Sequence, residues 1–286
     1  MADTSYGVNH PLAVKVWERK LMHETTKQMW FSKFIGSGER AVIQKVTNLR
    51  KGPGDRVRVG LRMQLSGAGI QGDSTLEGNE EALTTYYDDL LINQLRHAVR
   101  SGGKMSEQRI PFSIREEAMQ GLADWWAVRD EVAIANQLTG TDATLAPPSN
   151  FLLVANPQTA EASLSTSTVH YFSLSLLDRA VARAKDMTTG QSPIRPVRVD
   201  GNEYYVAFLH TNQVYQLRTN PAQQQWGDIQ KFAMAGSKAS DNPIFTGALG
   251  IYNGVVLHEC PYLPAFTLGA SGTGGARRAV LCGAQA

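Results

Sequence analysis

Apolar and polar residues alternate without a break along Arg56-Val57-Arg58-Val59-Gly60-Leu61-Arg62-Met63-Gln64-Leu65, the period of a half-buried or edge strand. A second, longer extended run reads from Leu83 to Val99. Between them, Gly67 to Glu81 is polar and studded with glycine, with too little apolar surface for a core of its own. A connection that long is usually functional or disordered. The pattern predicts an extended hairpin that cannot bury both faces within its own subunit, and the natural cover is another copy of the chain.

Helical periodicity takes over at Ser113. Pro111 cannot continue a strand ladder, Ser113 is a good N-cap, and Glu116 three residues on completes a capping box. Ile114, Ala118, Leu122, Trp125, Val128, Val132, Ala135 and Leu138 recur every three or four residues, and Gly140 closes the run. Some 26 residues at 1.5 Å each predict a rod of roughly 39 Å, long for a compact domain. A rod of that length beside a long hairpin implies an elongated, plate-like subunit.

The rest of the chain mixes both periods. Leu12 to Ile35 carries Trp17, Leu21, Met22, Met29, Trp30, Phe31 and Phe34 at irregular helical spacing, as one bent helix or two short ones. Those aromatics need a surface, which the same subunit or a neighbour could supply. Lys51-Gly52-Pro53-Gly54-Asp55 then breaks the chain. A further helix is expected from Ser175-Leu176-Leu177-Asp178 to about Met187, and another from Asn220-Pro221 through Trp226, Ile229 and Ala233 to Gly236. Asp200-Gly201 between alternating runs marks a hairpin over 197–206. Gly254 to Leu257 and Ala279 to Cys282 read as buried strands. No βαβ rhythm repeats, so the fold class is α+β.

Composition narrows the function. The 286 residues are 42% hydrophobic and 19% charged, which excludes wholesale disorder. A formal charge of +2 argues against a sequence-reading nucleic-acid binder, which normally carries a basic domain or stripe. Two cysteines, Cys260 and Cys282, define no disulfide framework. The N-terminus lacks the pattern of a secretory signal, and no apolar run approaches the roughly 20 residues that span a bilayer. A cytosolic product with reduced thiols and no membrane contact is expected.

Catalytic and cofactor motifs fail one after another. Gly272-Thr273-Gly274-Gly275 is not followed by Gly-Lys-Ser/Thr, and Thr273 stands where a nucleophile elbow around Ser271 needs glycine. His23-Glu24 opens like a zinc-protease helix, but Lys27 occupies the second histidine's place. His258, Cys260 and Cys282 lack paired metal-ligand spacing. The pairs Asp88-Asp89 and Glu116-Glu117 have no recognisable acid/base partner. No catalytic residue, cofactor or metal is assigned. A soluble α+β hydrolase or transferase, or an oligomeric scaffold that encloses nothing, are the rival readings.

Charge placement is more informative. Arg56, Arg58 and Arg62 share one face of the first hairpin strand, while Asp73, Glu77, Glu80 and Glu81 crowd the tip. Opposite signs at the two ends of one element suit head-to-tail packing around a ring.

Gly60 to Gly69 with Gln71-Gly72-Asp73 and Leu76-Glu77-Gly78-Asn79-Glu80-Glu81 resembles the major capsid proteins of tailed bacteriophages related to phage N four. Pro11 to Lys15, Leu95 to Arg100, Gly103-Lys104-Met105 and the helix from Ile114 to Trp126 share that resemblance, and Gly247 to Pro264 echoes it more weakly. The resemblance implies the capsid fold first described for the Hong Kong ninety-seven phage. It implies an N-terminal arm at 1–50, an extended loop at 51–105, a peripheral domain with its spine helix at 106–150, and an axial domain with returning peripheral strands at 151–286. It further implies hexamers and pentamers in an icosahedral virion shell around double-stranded DNA, assembled in the bacterial host cytoplasm, with portal, scaffold or decoration proteins as further partners. Trp17 and Trp30 on the arm join the seven hairpin charges as expected inter-subunit contacts. Members of that family continue past the point where this sequence stops, so its last strands are expected to lack partners.

Overall fold

The computed structural model describes residues 29–38, 41–45, 56–110, 112–140, 152–155, 161–164, 170–186, 193–199, 201–219, 227, 247–267 and 275–284, apart from positions 64, 66, 68 and 92. Trp17 and the helical run before Met29, the Lys51–Asp55 breaker, the helix expected at 220–236 and the glycine cluster at 272–274 lie outside the described residues. The chain gathers into two units, one from 1–45 with 99–286 and one from 46–98.

In the first unit a 3-10 turn, Trp30–Phe34, leads into β1 (Ile35–Gly36), which pairs in parallel with β2 (Ile43–Gln44). The second unit holds β3 (Arg56–Arg62) and β4 (Thr85–Leu91), antiparallel, with Arg58 opposite Asp89 and Gly60 opposite Tyr87. The expected second run is cut short. The Asn93 side-chain oxygen accepts the Gln94 amide at 2.8 Å, a local bond that competes with a ladder, and 93–100 carries no regular structure.

Returning to the first unit, α1 (Lys104–Gln108) precedes α2 (Ile114–Thr139), the 26-residue helix anticipated above. Ser113 accepts the Glu116 amide at 3.5 Å, and Gly140 ends the helix in the left-handed region at φ 59°. Its burial differs from the expected stripe. Only Glu131, Ala135 and Thr139 are fully enclosed, with Ile134 and Leu138 packed at the edge of the core. α3 (Leu174–Lys185) starts just ahead of the expected position and buries Leu174, Leu177, Val181 and Ala184 at regular helical spacing.

β5 (Val197–Val199) and β6 (Asn202–Leu209) form the Asp-Gly hairpin, with Gly201 at φ 84°. α4 (Thr211–Thr219) has no expected counterpart. Its first turn is capped by an imidazole, His210 Nδ1 accepting the Asn212 amide at 3.0 Å, and histidine is not among the residues that announce a helix start. β7 (Gly250–Tyr252) and β8 (Val255–Glu259) are joined by Asn253 and Gly254, both at positive φ, a type I′ turn. The short pair β9 (Ala265–Thr267) and β10 (Gly275–Arg277) is followed by β11 (Val280–Cys282).

Five strands form the central sheet in the order β11-β6-β8-β7, with β5 on the first part of β6. β6 and β8 run parallel, and β11 lies antiparallel along Val206 to Phe208. The last strand therefore has a partner within the chain, contrary to expectation. β6 is buried on both faces, so it reads as a continuous apolar run. Tyr205, Ala207 and Leu209 face α3 and α4 with Val255 and Leu257. Val206, Phe208 and Val256 face Phe31, Phe34, Val42 and Ala135 on the other side. Each enclosed Leu or Phe contributes roughly 2–3 kcal/mol of transfer free energy.

Candidate functional site

Two places stand out from this architecture: the hairpin, which exposes apolar surface, and the seat of residues 29–38, which encloses charge. In the hairpin, strand alternation puts Val57, Val59, Tyr86 and Leu90 on one face and Arg56, Arg58, Arg62, Tyr87 and Leu91 on the other. Both faces are exposed: Tyr86 is 59%, Tyr87 65% and Leu91 69% accessible. An isolated two-stranded hairpin is marginal in water. Cross-strand contacts hold this one together. The Arg58 guanidinium grips Asp89 with two bonds of 2.7 and 2.9 Å and lies 4.1 Å from the Tyr87 ring centre. Hydrogen bonding to Arg58 keeps the Asp89 carboxyl below its ordinary range.

The charges expected at inter-subunit contacts divide by what they do inside the hairpin. Arg58 is engaged with Asp89. At the tip, Glu81 Oε2 accepts the Gly67 amide at 2.7 Å and Glu80 Oε2 accepts the Gly78 amide at 2.8 Å, so both carboxylates shape the loop itself. Asp73 and Glu77 stand exposed, as do Arg56 and Arg62. Trp30 sits half-buried in its own chain, with edge-on contacts to Phe31 and Phe208 at centroid distances of 4.9 and 5.5 Å.

Beside Trp30, the helix α2 presents Glu131 to the 3-10 turn. Glu131 is fully enclosed, and its Oε1 accepts the Phe31 amide at 2.8 Å. Burial pushes this carboxyl up, while the Phe31 and Trp30 amides pull it down and Asp130 raises it further. The position was legible in principle, because residue 131 lies at helical spacing from Val128 and Ala135. A carboxylate on an apolar stripe is the signal that marks it.

Of the candidate chemical groups, His258, Cys260 and Cys282 are buried in the first unit. His258 is enclosed and packs edge-on to Phe34 at 4.9 Å. Burial raises the Cys260 thiol to about 11 and the Cys282 thiol to about 12, so neither is a thiolate at neutral pH. Among the described residues, no three His, Cys, Asp or Glu side chains are grouped to hold a metal. Also among them, no helix is long and apolar enough to cross a membrane. Sequence reasoning missed Arg278, which binds both Glu161 oxygens at 2.7 Å and donates to the carbonyls of Thr139 and Gly140 at 2.7 and 2.9 Å. That guanidinium finishes α2 where its last carbonyls lack partners.

A hairpin whose two faces are both exposed, in a chain that also carries a capped 26-residue helix, fits a part made to join other parts. The chain belongs to the phage capsid protein family, whose model matches residues 5–286. It is 27% identical to the major capsid protein of Pseudomonas phage KPP25 over 95% of its own length and 79% of that protein. Its structure is similar to the capsid of Ralstonia phage GP4, with 30% identity, a TM-score of 0.83, and coverage of 100% of this chain and 83% of that one. The capsid asymmetric unit of cyanophage Pam1 shares the fold at 23% identity and a TM-score of 0.72, over 100% of this chain and 84% of that one. The chain is thus a structural protein of a phage capsid shell, with the α+β fold of tailed-phage major capsid proteins.

Proposed function

We propose that many copies of this chain tile an icosahedral head as hexamers and pentamers, with residues 51–105 serving as the extended loop that lies over a neighbouring subunit. The supporting observation is the hairpin itself. Val59, Tyr86 and Leu90 on one face and Tyr87 and Leu91 on the other are exposed apolar side chains, the kind of surface that marks a contact with a partner. Covering it spreads contact area over several modest interfaces per subunit, which add through the geometry of a closed shell. Residues 1–50 act as the tethering arm, with Trp17 among its contacts, and 106–150 and 151–286 supply the peripheral and axial parts. The enclosed cargo is double-stranded DNA, held through its backbone without regard to sequence. Portal, scaffold or decoration proteins complete the particle, and assembly takes place in the bacterial cytoplasm. Such a subunit has no enzymatic activity of its own.

Negative-stain microscopy of the purified chain after size-exclusion chromatography tests this reading. Shells, or rings of five or six, are expected; a stable monomer at high concentration overturns it. Reversing Asp73 and Glu77 to lysine probes the tip without breaking the Glu80 and Glu81 bonds. That variant is expected to assemble poorly with an unchanged circular dichroism spectrum.

A further inference from the structure

Glu131 is a buried acid that the shell reading does not use. It sits on α2, closed off from water, and its two oxygens are treated unequally. Oε1 takes the Phe31 amide at 2.8 Å, whereas Oε2, also buried, has no hydrogen-bond partner among the described residues. The amide it holds belongs to the 3-10 turn that carries Phe31 and Phe34 into the core. One carboxyl therefore joins residues 29–38 to α2 at the point where that segment is most deeply packed.

We propose that Glu131 makes the attachment of residues 29–38 to α2 respond to pH, the neutral carboxyl holding the segment firmly and the ionised one loosening it. An ionised carboxylate here would leave a buried charge met by backbone amides but, among the described residues, by no ion pair. A neutral carboxyl keeps the Phe31 bond through one oxygen and leaves no net charge to desolvate.

The groups around it do not reverse that balance. From the 3-10 turn comes Lys33, whose ammonium lies 4.8 and 4.9 Å from the Trp30 and Phe34 ring centres and is itself weakened by burial. From β8 and the residue after it come enclosed His258 and the Cys260 thiol, which the nearby Glu131 helps keep protonated. From α2 comes Asp130, a like charge that opposes ionisation. Burial is the largest influence on Glu131, and it favours the proton.

The sign follows by linkage. When segment 29–38 lifts, Glu131 meets water and titrates near its ordinary value of 4.5. When the segment is seated the proton is held to higher pH. Attachment is therefore strongest below the ordinary value and weakens as pH rises toward the seated one, by up to about tenfold in the opening constant per pH unit, then levels off. The device concerns this chain's own packing and does not depend on what the segment touches in a shell.

Hydrogen exchange of full-length protein, read on peptides spanning 29–38 at a series of pH values from 4 to 8 and corrected for intrinsic exchange, tests the idea. Wild type is expected to lose protection across part of this range and then plateau. Glu131→Gln, a permanent mimic of the neutral acid, is expected to stay protected throughout with a flat profile. A flat or rising wild-type profile overturns the proposal, and so does a transition that the variant retains. If Glu131→Gln does not fold, the wild-type profile decides alone.

Discussion

Arg278 shows how much a single side chain settles in this molecule. It spans from the end of the sheet to the end of α2, and the side chains of Arg278 and Glu161 keep only 16% and 23% of their accessible surface. A pair this enclosed is weak grounds for claiming net stability, but breaking it strands the remaining charge. Arg278→Ala is expected to cost about 2–3 kcal/mol, read as a lower chemical-denaturation midpoint, because it orphans both Glu161 and the carbonyls of Thr139 and Gly140. Glu161→Gln should recover part of that loss in the double variant. Arg278 carried no cue in the sequence, since its partners lie 117 and 139 residues away. Asn253-Gly254 is the opposite case: an Asn-Gly pair is a strong local hairpin signal, and the structure places both residues at the positive φ that a type I′ turn requires.

Among the elements, the contrast lies between those that complete themselves and those that do not. α2 carries its own punctuation, with Ser113 at one end and Gly140 at the other, so its limits were readable residue by residue. Which of its faces would be buried was less so. The apolar spacing pointed to Val132, Ala135 and Leu138, but the tightest enclosure falls on Glu131, Ala135 and Thr139 because the 3-10 turn supplies amides for a carboxylate to meet. The β3/β4 hairpin is the incomplete element. Replacing Tyr86 and Leu90 by aspartate puts charge on one exposed face. The variant is expected to keep the monomer's thermal transition within about 1 kcal/mol, as surface changes do, while light scattering shows assembly abolished. Normal particles from it would remove that face from the interface.

Considered whole, the molecule is nearly neutral, at +2 over 286 residues. That balance lets identical copies approach without strong mutual repulsion. It also bears on the proposed cargo. Filter binding of assembled particles' subunits to duplexes of unrelated sequence is expected to give equal, weak affinities that fall steeply with salt; a preference for one sequence would contradict backbone-directed contact. The family match over residues 5–286 fixes the class of particle, while the partners beyond other capsid subunits stay with the proposal.

The sequence by itself determined the features whose cause is local. Alternation set β3, capping residues set α2, and Asp200-Gly201 set one hairpin. Each depends on neighbours a few positions apart, so the pattern is visible in one dimension. Tertiary structure alone decided that β11 pairs with β6, that Trp30 packs against Phe208, and that Glu131 and Arg278 are enclosed. Those outcomes depend on groups brought together from tens to more than a hundred residues apart, where burial sets the strength of a charge or hydrogen bond and no local pattern records it.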